Sequence, residues 1–183
     1  MRIGYTAVER FDKDHESGEG GWDKYIEFSK IAHSNEIVSL DGLLCPSFIK
    51  GGPSDEDWKH LFKEDLHDKD IFDDLNYLLK RVSGSNDFQI LAVAKEPTEE
   101  EVRGFTADGF LLKGYDLIEN GGTISALTNC GGFDDIFSPL ELSPCGLLED
   151  HKRAFQVKEL LKELHPEEPH AHCVVWAIWR LEK

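Results

Sequence analysis

Hydrophobic residues recur along the chain with two periods, and each period predicts one type of secondary structure. Apolar positions three and four residues apart are typical of amphipathic helices, whereas alternating or continuous apolar runs are typical of strands. By this criterion, helices are predicted at 22–33, 54–66, 71–82 and 147–164. Strands are predicted at 1–11, 88–94, 109–118, 123–130 and 173–181, and 36–44 is predicted to be extended with a hairpin turn at Asp41-Gly42.

The stretch 109–133 has the best-defined pattern, which predicts two strands joined by a tight turn. Asn120-Gly121-Gly122 separates two runs of apolar, β-branched and small residues. Asn and Gly supply the positive φ angles that a short hairpin turn requires. Two further glycines follow the second run, at Gly131-Gly132, where the backbone is able to bend sharply.

Together these elements predict a mixed α+β fold. Helices and strands do not alternate regularly, so a parallel βαβ arrangement is disfavoured. We expect a largely antiparallel sheet of about six strands with about four helices packed on it. The dense run of β-branched and aromatic residues at 173–181 predicts a central strand. No shift in composition marks an internal boundary, so residues 1–183 are predicted to form a single domain.

The charge of the chain limits the kinds of partner that it attracts. Thirty-six Asp and Glu oppose twenty Lys and Arg, which gives a net charge of −16 at pH 7. A field of this sign repels phosphate backbones and anionic lipid surfaces, so neither nucleic acid nor a membrane is expected as a partner. The same field attracts basic proteins, although a surplus of acids also serves solubility alone.

Cysteine usage and hydropathy predict a cytoplasmic protein. Four cysteines at 45, 130, 145 and 173 lie far apart, with no CxxC pair. The opening residues 1–4 do not lead into the apolar region of a signal peptide, and no run reaches the roughly 20 apolar residues of a membrane span. We therefore expect reduced thiols. The oligomeric state has no signature in the sequence.

The most acidic tract lies at 54–75, where nine acids accompany three lysines on two predicted amphipathic helices. This tract is the predicted surface for a basic protein partner, through Asp55, Glu56, Asp57, Trp58, Asp65, Asp68, Asp73 and Asp74. In size, acidity and lack of a catalytic motif, the chain is similar in character to the immunity proteins that bacteria use against basic nuclease toxins. The resemblance is one of composition, and it implies a non-enzymatic inhibitory role.

The alternative hypothesis is an enzyme or zinc protein built on cysteine and histidine. Cys130 ends a predicted strand, where a nucleophile that is activated by a histidine would be accessible. His170 and His172 are two residues apart, so on a strand they would share one face and could bind zinc with Cys130 or Cys145. Against this, free cysteine is most often a buried apolar residue.

Known catalytic motifs do not support the enzyme hypothesis. The chain has no GxxxxGK[ST] phosphate loop, no GxGxxG, no GxSxG elbow and no HExxH. Its many acidic pairs are typical of solvated surface rather than of a general acid and base. The sequence therefore favours a binding protein without a cofactor over an enzyme.

Overall fold

A computed structural model describes residues 1–15, 21–62, 70–83, 85–119, 124–129 and 133–182, and all structural statements below concern these residues. The strands are β1 (Gly4–Glu9), β2 (Phe11–Asp12), β3 (Glu36–Ile37), β4 (Phe88–Lys95), β5 (Phe110–Glu119) and β6 (Cys173–Leu181). The helices are α1 (Gly21–Ser29), α2 (Asp57–His60), α3 (Leu75–Arg81), α4 (Glu99–Gly104) and α5 (His151–Leu164). Two short 3₁₀ helices occupy Pro139–Glu141 and Pro169–His172.

The predicted α+β class is confirmed. Four strands form an antiparallel sheet in the order β1-β4-β6-β5, and β2 pairs with β3 in a separate two-stranded sheet. β6 is a central strand, as its apolar run predicts. Trp176 and Trp179 lie three residues apart on β6 and are both buried, because both faces of this strand are covered. None of the described helices combines the length and the apolar character that crossing a bilayer requires.

α5 packs against the outer part of this sheet through Ala154, Val157 and Leu161, which are fully buried. The helix begins four residues later than predicted. Leu148 precedes it in extended conformation, and its backbone exchanges hydrogen bonds of 2.8 and 3.1 Å with Tyr115 on β5. Leu148, which the apolar pattern assigns to the helix, therefore pairs with the edge strand β5 instead.

The predicted helices at 54–66 and 71–82 are both shorter than their apolar patterns. α2 ends at His60 because Leu61 and Phe62 become extended and pair with the segment before α3. α3 begins late because Phe72 exchanges backbone hydrogen bonds of 2.8 and 2.7 Å with Tyr5 on β1. Residues 63–69 lie outside the described part of the chain.

The predicted hairpin at 109–133 is correct in its first strand and wrong in much of its second. Ser125 forms a single antiparallel bridge with Ile118, and residues 126–129 then form a turn. The Ser125 hydroxyl accepts hydrogen bonds from the N–H groups of Leu127 and Thr128, which bends the backbone away from the strand. The predicted turn at 120–122 and the Gly131-Gly132 pair lie outside the described residues.

Candidate functional site

The predicted acidic tract forms one surface where α2 meets the start of α3. The Asp73 N–H donates to the His60 carbonyl at 2.9 Å, and the His60 ring stacks on Tyr77 at a centroid distance of 4.0 Å. Trp58 projects from α2 with 60% of its surface exposed. The predicted acids Asp55, Glu56 and Asp73 are exposed, and Asp74 is half-buried. We call this surface, made of Asp55, Glu56, Trp58, Asp73 and Asp74, the acidic face.

Asp57 was predicted to contact a partner, but the structure places its carboxylate inside the protein. Asp57 is fully buried and accepts hydrogen bonds from Arg81 Nε at 2.7 Å and Nη2 at 3.1 Å. The Tyr77 hydroxyl and the Ser54 hydroxyl donate to it as well, each at 2.7 Å. The Arg81 guanidinium holds the pKa of this carboxyl well below its ordinary value, with the other donors adding to the effect. Asp57 therefore anchors α2 to α3 rather than contacting a partner.

Two other predicted acids also have local roles. The Asp74 carboxylate caps α3 by accepting from the N–H groups of Asn76 and Tyr77 at 2.8 and 3.1 Å. Glu56, the residue before α2, pairs with Lys59 on that helix, and this neighbour lowers the pKa of the Glu56 carboxyl. Both side chains nevertheless remain accessible to solvent, Glu56 more than Asp74. Asp65 and Asp68 lie outside the described residues.

His170 and His172, which would share one face if they lay on a strand, lie on the 3₁₀ helix Pro169–His172 instead. His170 is buried beside Glu119 and the Phe133 ring, whereas His172 is exposed. Burial lowers the pKa of His170, and the Glu119 carboxylate, 3.3 Å away, opposes this shift.

The described cysteines give no support to a reactive thiol or a metal site. Cys145 lies beside Glu36, to whose carboxylate its thiol donates at 3.6 Å, and burial raises its pKa to about 11. Burial likewise raises the pKa of Cys173 to about 12. Cys130 lies outside the described residues. Within the described ranges, no three His, Cys, Asp or Glu side chains come close enough together to hold a metal ion.

Sequence reasoning missed a pair of carboxylates in the core, Asp41 and Asp116, both fully buried. Ser39 and Ser125 lie between them. The Ser39 hydroxyl donates to Asp116 at 2.5 Å and accepts the Asp41 N–H, while the Ser125 hydroxyl donates to Asp116 at 2.6 Å. The one available signal was an acid inside the apolar strand at 110–118, and it did not identify Asp41 as a neighbour.

Asp41 connects two loops that are distant in the sequence. Its Oδ1 accepts from the N–H groups of Leu43 and Leu44 at 2.8 and 2.9 Å. Its Oδ2 accepts from the Ser125 N–H at 2.7 Å and from Asn129 Nδ2 at 2.9 Å. Four N–H donors satisfy the carboxylate, so burial of the charge is compensated. The pair of carboxylates therefore fixes the loops at 41–45 and 125–129 against each other.

A cavity of about 530 Å³ opens between these two loops and α1. Its walls include Phe11, Tyr25 and Phe28, with Leu43 on the opposite loop and the Asn129 side chain at one side. Tyr25 is held from behind, because its hydroxyl donates to the Thr128 carbonyl at 2.9 Å. We call this cavity the α1 pocket. Its residues come from four separate segments of the chain, and no sequence motif links them.

Comparison with known proteins yields no relative: no family model matches the chain, and no curated protein and no solved structure is significantly similar to it. A functional assignment consequently depends on the two surfaces described above, the acidic face and the α1 pocket.

Proposed function

We propose that this chain is a non-enzymatic cytoplasmic protein that binds a basic protein partner on its acidic face, in the manner of an immunity protein or an inhibitor. One observation carries the proposal. Trp58 presents 60% of its surface to solvent within the most acidic tract of a chain with net charge −16. Trp is among the side chains that most often dominate binding energy at protein interfaces.

Charge and aromatic surface would have different roles in such a complex. The surplus of acids attracts a cationic partner over long distance and raises the association rate. Asp55 and Asp73 are exposed and free to face Lys or Arg on that partner. Trp58 would then be desolvated at the centre of the contact, where burial of its ring slows dissociation.

The local structure supports a preorganised surface. α2 has only four residues, too few for an isolated helix to persist in water. Here the Asp57–Arg81 ion pair and the stacking of His60 on Tyr77 hold it against α3. Trp58 therefore extends from a fixed backbone, and a partner would not have to order this segment on binding.

The cytoplasmic location is part of the proposal. Cys45 and Cys173 are buried, Cys145 is half-buried, and none of the three forms a disulfide bond. Free thiols are the rule in reducing compartments.

The proposal is tested by capture of a partner on the immobilised protein, followed by measurement with variants. A basic protein retained from native lysate at about 0.05 M salt and released at about 0.3 M would be identified by mass spectrometry and purified. We expect Trp58→Ala to weaken its binding about tenfold or more, and Asp55→Asn with Asp73→Asn to slow its association and flatten the salt dependence. Glu159→Gln with Glu163→Gln on α5 removes equal charge from another exposed face and should have much less effect.

Two results would contradict this assignment. A captured protein that binds the Trp58→Ala and Asp55→Asn/Asp73→Asn variants as tightly as the parent would show that the acidic face is not its site. If no basic protein were retained at either salt concentration, the proposed partner would not exist, and the negative charge would serve solubility alone.

A further inference from the structure

The α1 pocket has properties that binding at the acidic face does not use. We propose that it binds a small aromatic carboxylate carrying one hydrogen-bond donor on its ring, such as a hydroxyphenyl acid. The volume of about 530 Å³ lies within the range of small-molecule sites. This inference is independent of the acidic face, and either proposal can fail without the other.

The floor of the pocket is rigid and aromatic. Phe11 and Tyr25 are both buried, and their rings meet edge to face with centroids 5.0 Å apart. Trp22 packs behind them, with its ring centroid 5.4 Å from that of Phe11. Because these rings belong to the core, the cavity is formed before any ligand arrives, and an aromatic ring can stack there without reorganising the protein.

The rim of the pocket exposes apolar surface from two different elements. Phe28 on α1 is 59% exposed, and Leu43 on the Asp41 loop is 61% exposed. Both side chains line the same cavity. Exposing two large apolar groups on either side of a cavity costs hydration free energy, which a ligand ring inserted between them would recover.

The polar groups of the pocket specify the rest of the ligand. Lys24 is the only charged side chain among the described residues that line the cavity, and it forms no ion pair with any described residue. It lies exposed on α1, where it can pair with a carboxylate at the pocket mouth. Asn129 is half-buried, and one N–H of its Nδ2 donates to the Asp41 carboxylate. No described residue donates to its Oδ1, which can therefore accept a hydrogen bond from a donor on the ligand.

The net charge of the protein does not exclude an anionic ligand at this mouth. At physiological ionic strength the Debye length is about 8 Å, so distant acids are largely screened. Lys24 contributes a positive charge at the mouth itself. The carboxylate of a ligand whose ring lies in the pocket would therefore lie near the positive charge of Lys24.

The test uses calorimetric or NMR titration of the full chain with three probes. 4-Hydroxyphenylacetate should bind saturably, whereas 4-hydroxyphenylacetamide, which lacks the charge, and phenylacetate, which lacks the donor, should each bind about two- to fivefold more weakly. Lys24→Gln should reduce the affinity for the acid to that for the amide. Phe28→Ala should weaken all three probes about tenfold, because the rim contact is lost.

Matched variants separate the pocket from general effects. Leu111→Ala removes a leucine that is 57% exposed on β5, and Lys152→Gln removes an exposed cation on α5; neither should change the titrations. Three outcomes would overturn the proposal: no saturable binding of 4-hydroxyphenylacetate up to about 10 mM, equal affinities for acid and amide in the parent, or binding that Phe28→Ala leaves unchanged. Sedimentation that shows a dimer dissociated by Phe28→Ala would also overturn it, since the rim would then be covered by a second copy.

Discussion

At the scale of single residues, the buried side chains of Asp41 and Asp116 accept different sets of hydrogen bonds. Asp41 accepts four N–H groups, three from the backbone and one from a side-chain amide. Asp116 accepts two hydroxyl groups and the backbone N–H of Leu117. Complete burial raises the pKa of Asp116, and the hydrogen bonds from Ser125 and Ser39 offset this only in part.

A pH dependence of stability follows from the raised pKa of Asp116. A carboxyl whose folded pKa exceeds its unfolded value binds its proton more tightly in the folded state. Its contribution to stability is therefore full below the unfolded pKa of about 3.9 and is lost as pH rises towards the folded pKa. In Asp116→Asn this component should vanish, so the free energy of unfolding of the variant, relative to the parent, should improve as pH rises from about 4 to about 8.

The measurement is denaturant unfolding of the parent and of Asp116→Asn at a series of pH values. Asp116→Ala is the matched comparison, since it removes the acceptor as well as the charge. It should destabilise at every pH by about 2–4 kcal/mol, because the hydroxyls of Ser39 and Ser125 lose a buried partner. A difference between the parent and Asp116→Asn that stays constant with pH would contradict the raised pKa.

At the scale of elements, the join between β5 and the segment before α5 depends on one glycine. Gly114 has a φ of +138° and lies at the irregularity in the β5–β6 register. A Cβ at this position would stand 2.5 Å from the Leu148 carbonyl oxygen and 2.9 Å from the Leu147 Cβ. Only glycine allows Leu148 to approach closely enough to bond with Tyr115.

Gly114→Ala should therefore lower the free energy of unfolding by about 2–3 kcal/mol, through backbone strain and displacement of Leu148. Gly104→Ala is the control: no atom lies within 4 Å of its would-be Cβ, and the substitution should be neutral or slightly stabilising. Denaturant unfolding compares the two variants, and hydrogen exchange at the Leu148 amide locates the effect. Equal stabilities of both variants would show that the β5 irregularity tolerates a side chain.

The same scale explains which elements the sequence could reveal. β6 was predicted with its correct bounds, because a strand covered on both faces carries a continuous apolar run that needs no knowledge of its neighbours. The α3 helix was predicted to start too early, since Phe72 carries a helical apolar pattern but pairs with Tyr5, a residue far away in the sequence. Pairing across such a separation leaves no local signal.

The candidate sites divide in a similar way. The acidic tract is visible in the sequence because its residues are consecutive, but the burial of Asp57 is not, since it depends on Arg81 from the next helix. The α1 pocket brings Phe11, Leu43 and Asn129 together only through the fold. None of these three has a neighbour in the sequence that indicates a shared cavity.

At the scale of the whole molecule, acidic side chains far outnumber basic ones. Ion pairs such as Arg153–Glu141 and Lys158–Glu96 neutralise some of the acids. With thirty-six acids and twenty Lys and Arg, at least sixteen acids have no Lys or Arg to pair with one to one. Repulsion among them opposes the compact state.

Salt should therefore stabilise this protein, although salt weakens surface ion pairs. Exposed pairs contribute about 0–1 kcal/mol each, and their screening is a smaller effect here than the screening of the surplus negative charge. Raising NaCl from about 0.02 M to about 0.2 M should raise Tm by about 3 °C or more. Replacing the exposed acids Glu159, Glu163 and Glu167 with Gln should raise Tm at low salt and reduce the salt response. Thermal unfolding by circular dichroism measures both, and a Tm that falls with salt would show that the ion pairs outweigh the repulsion.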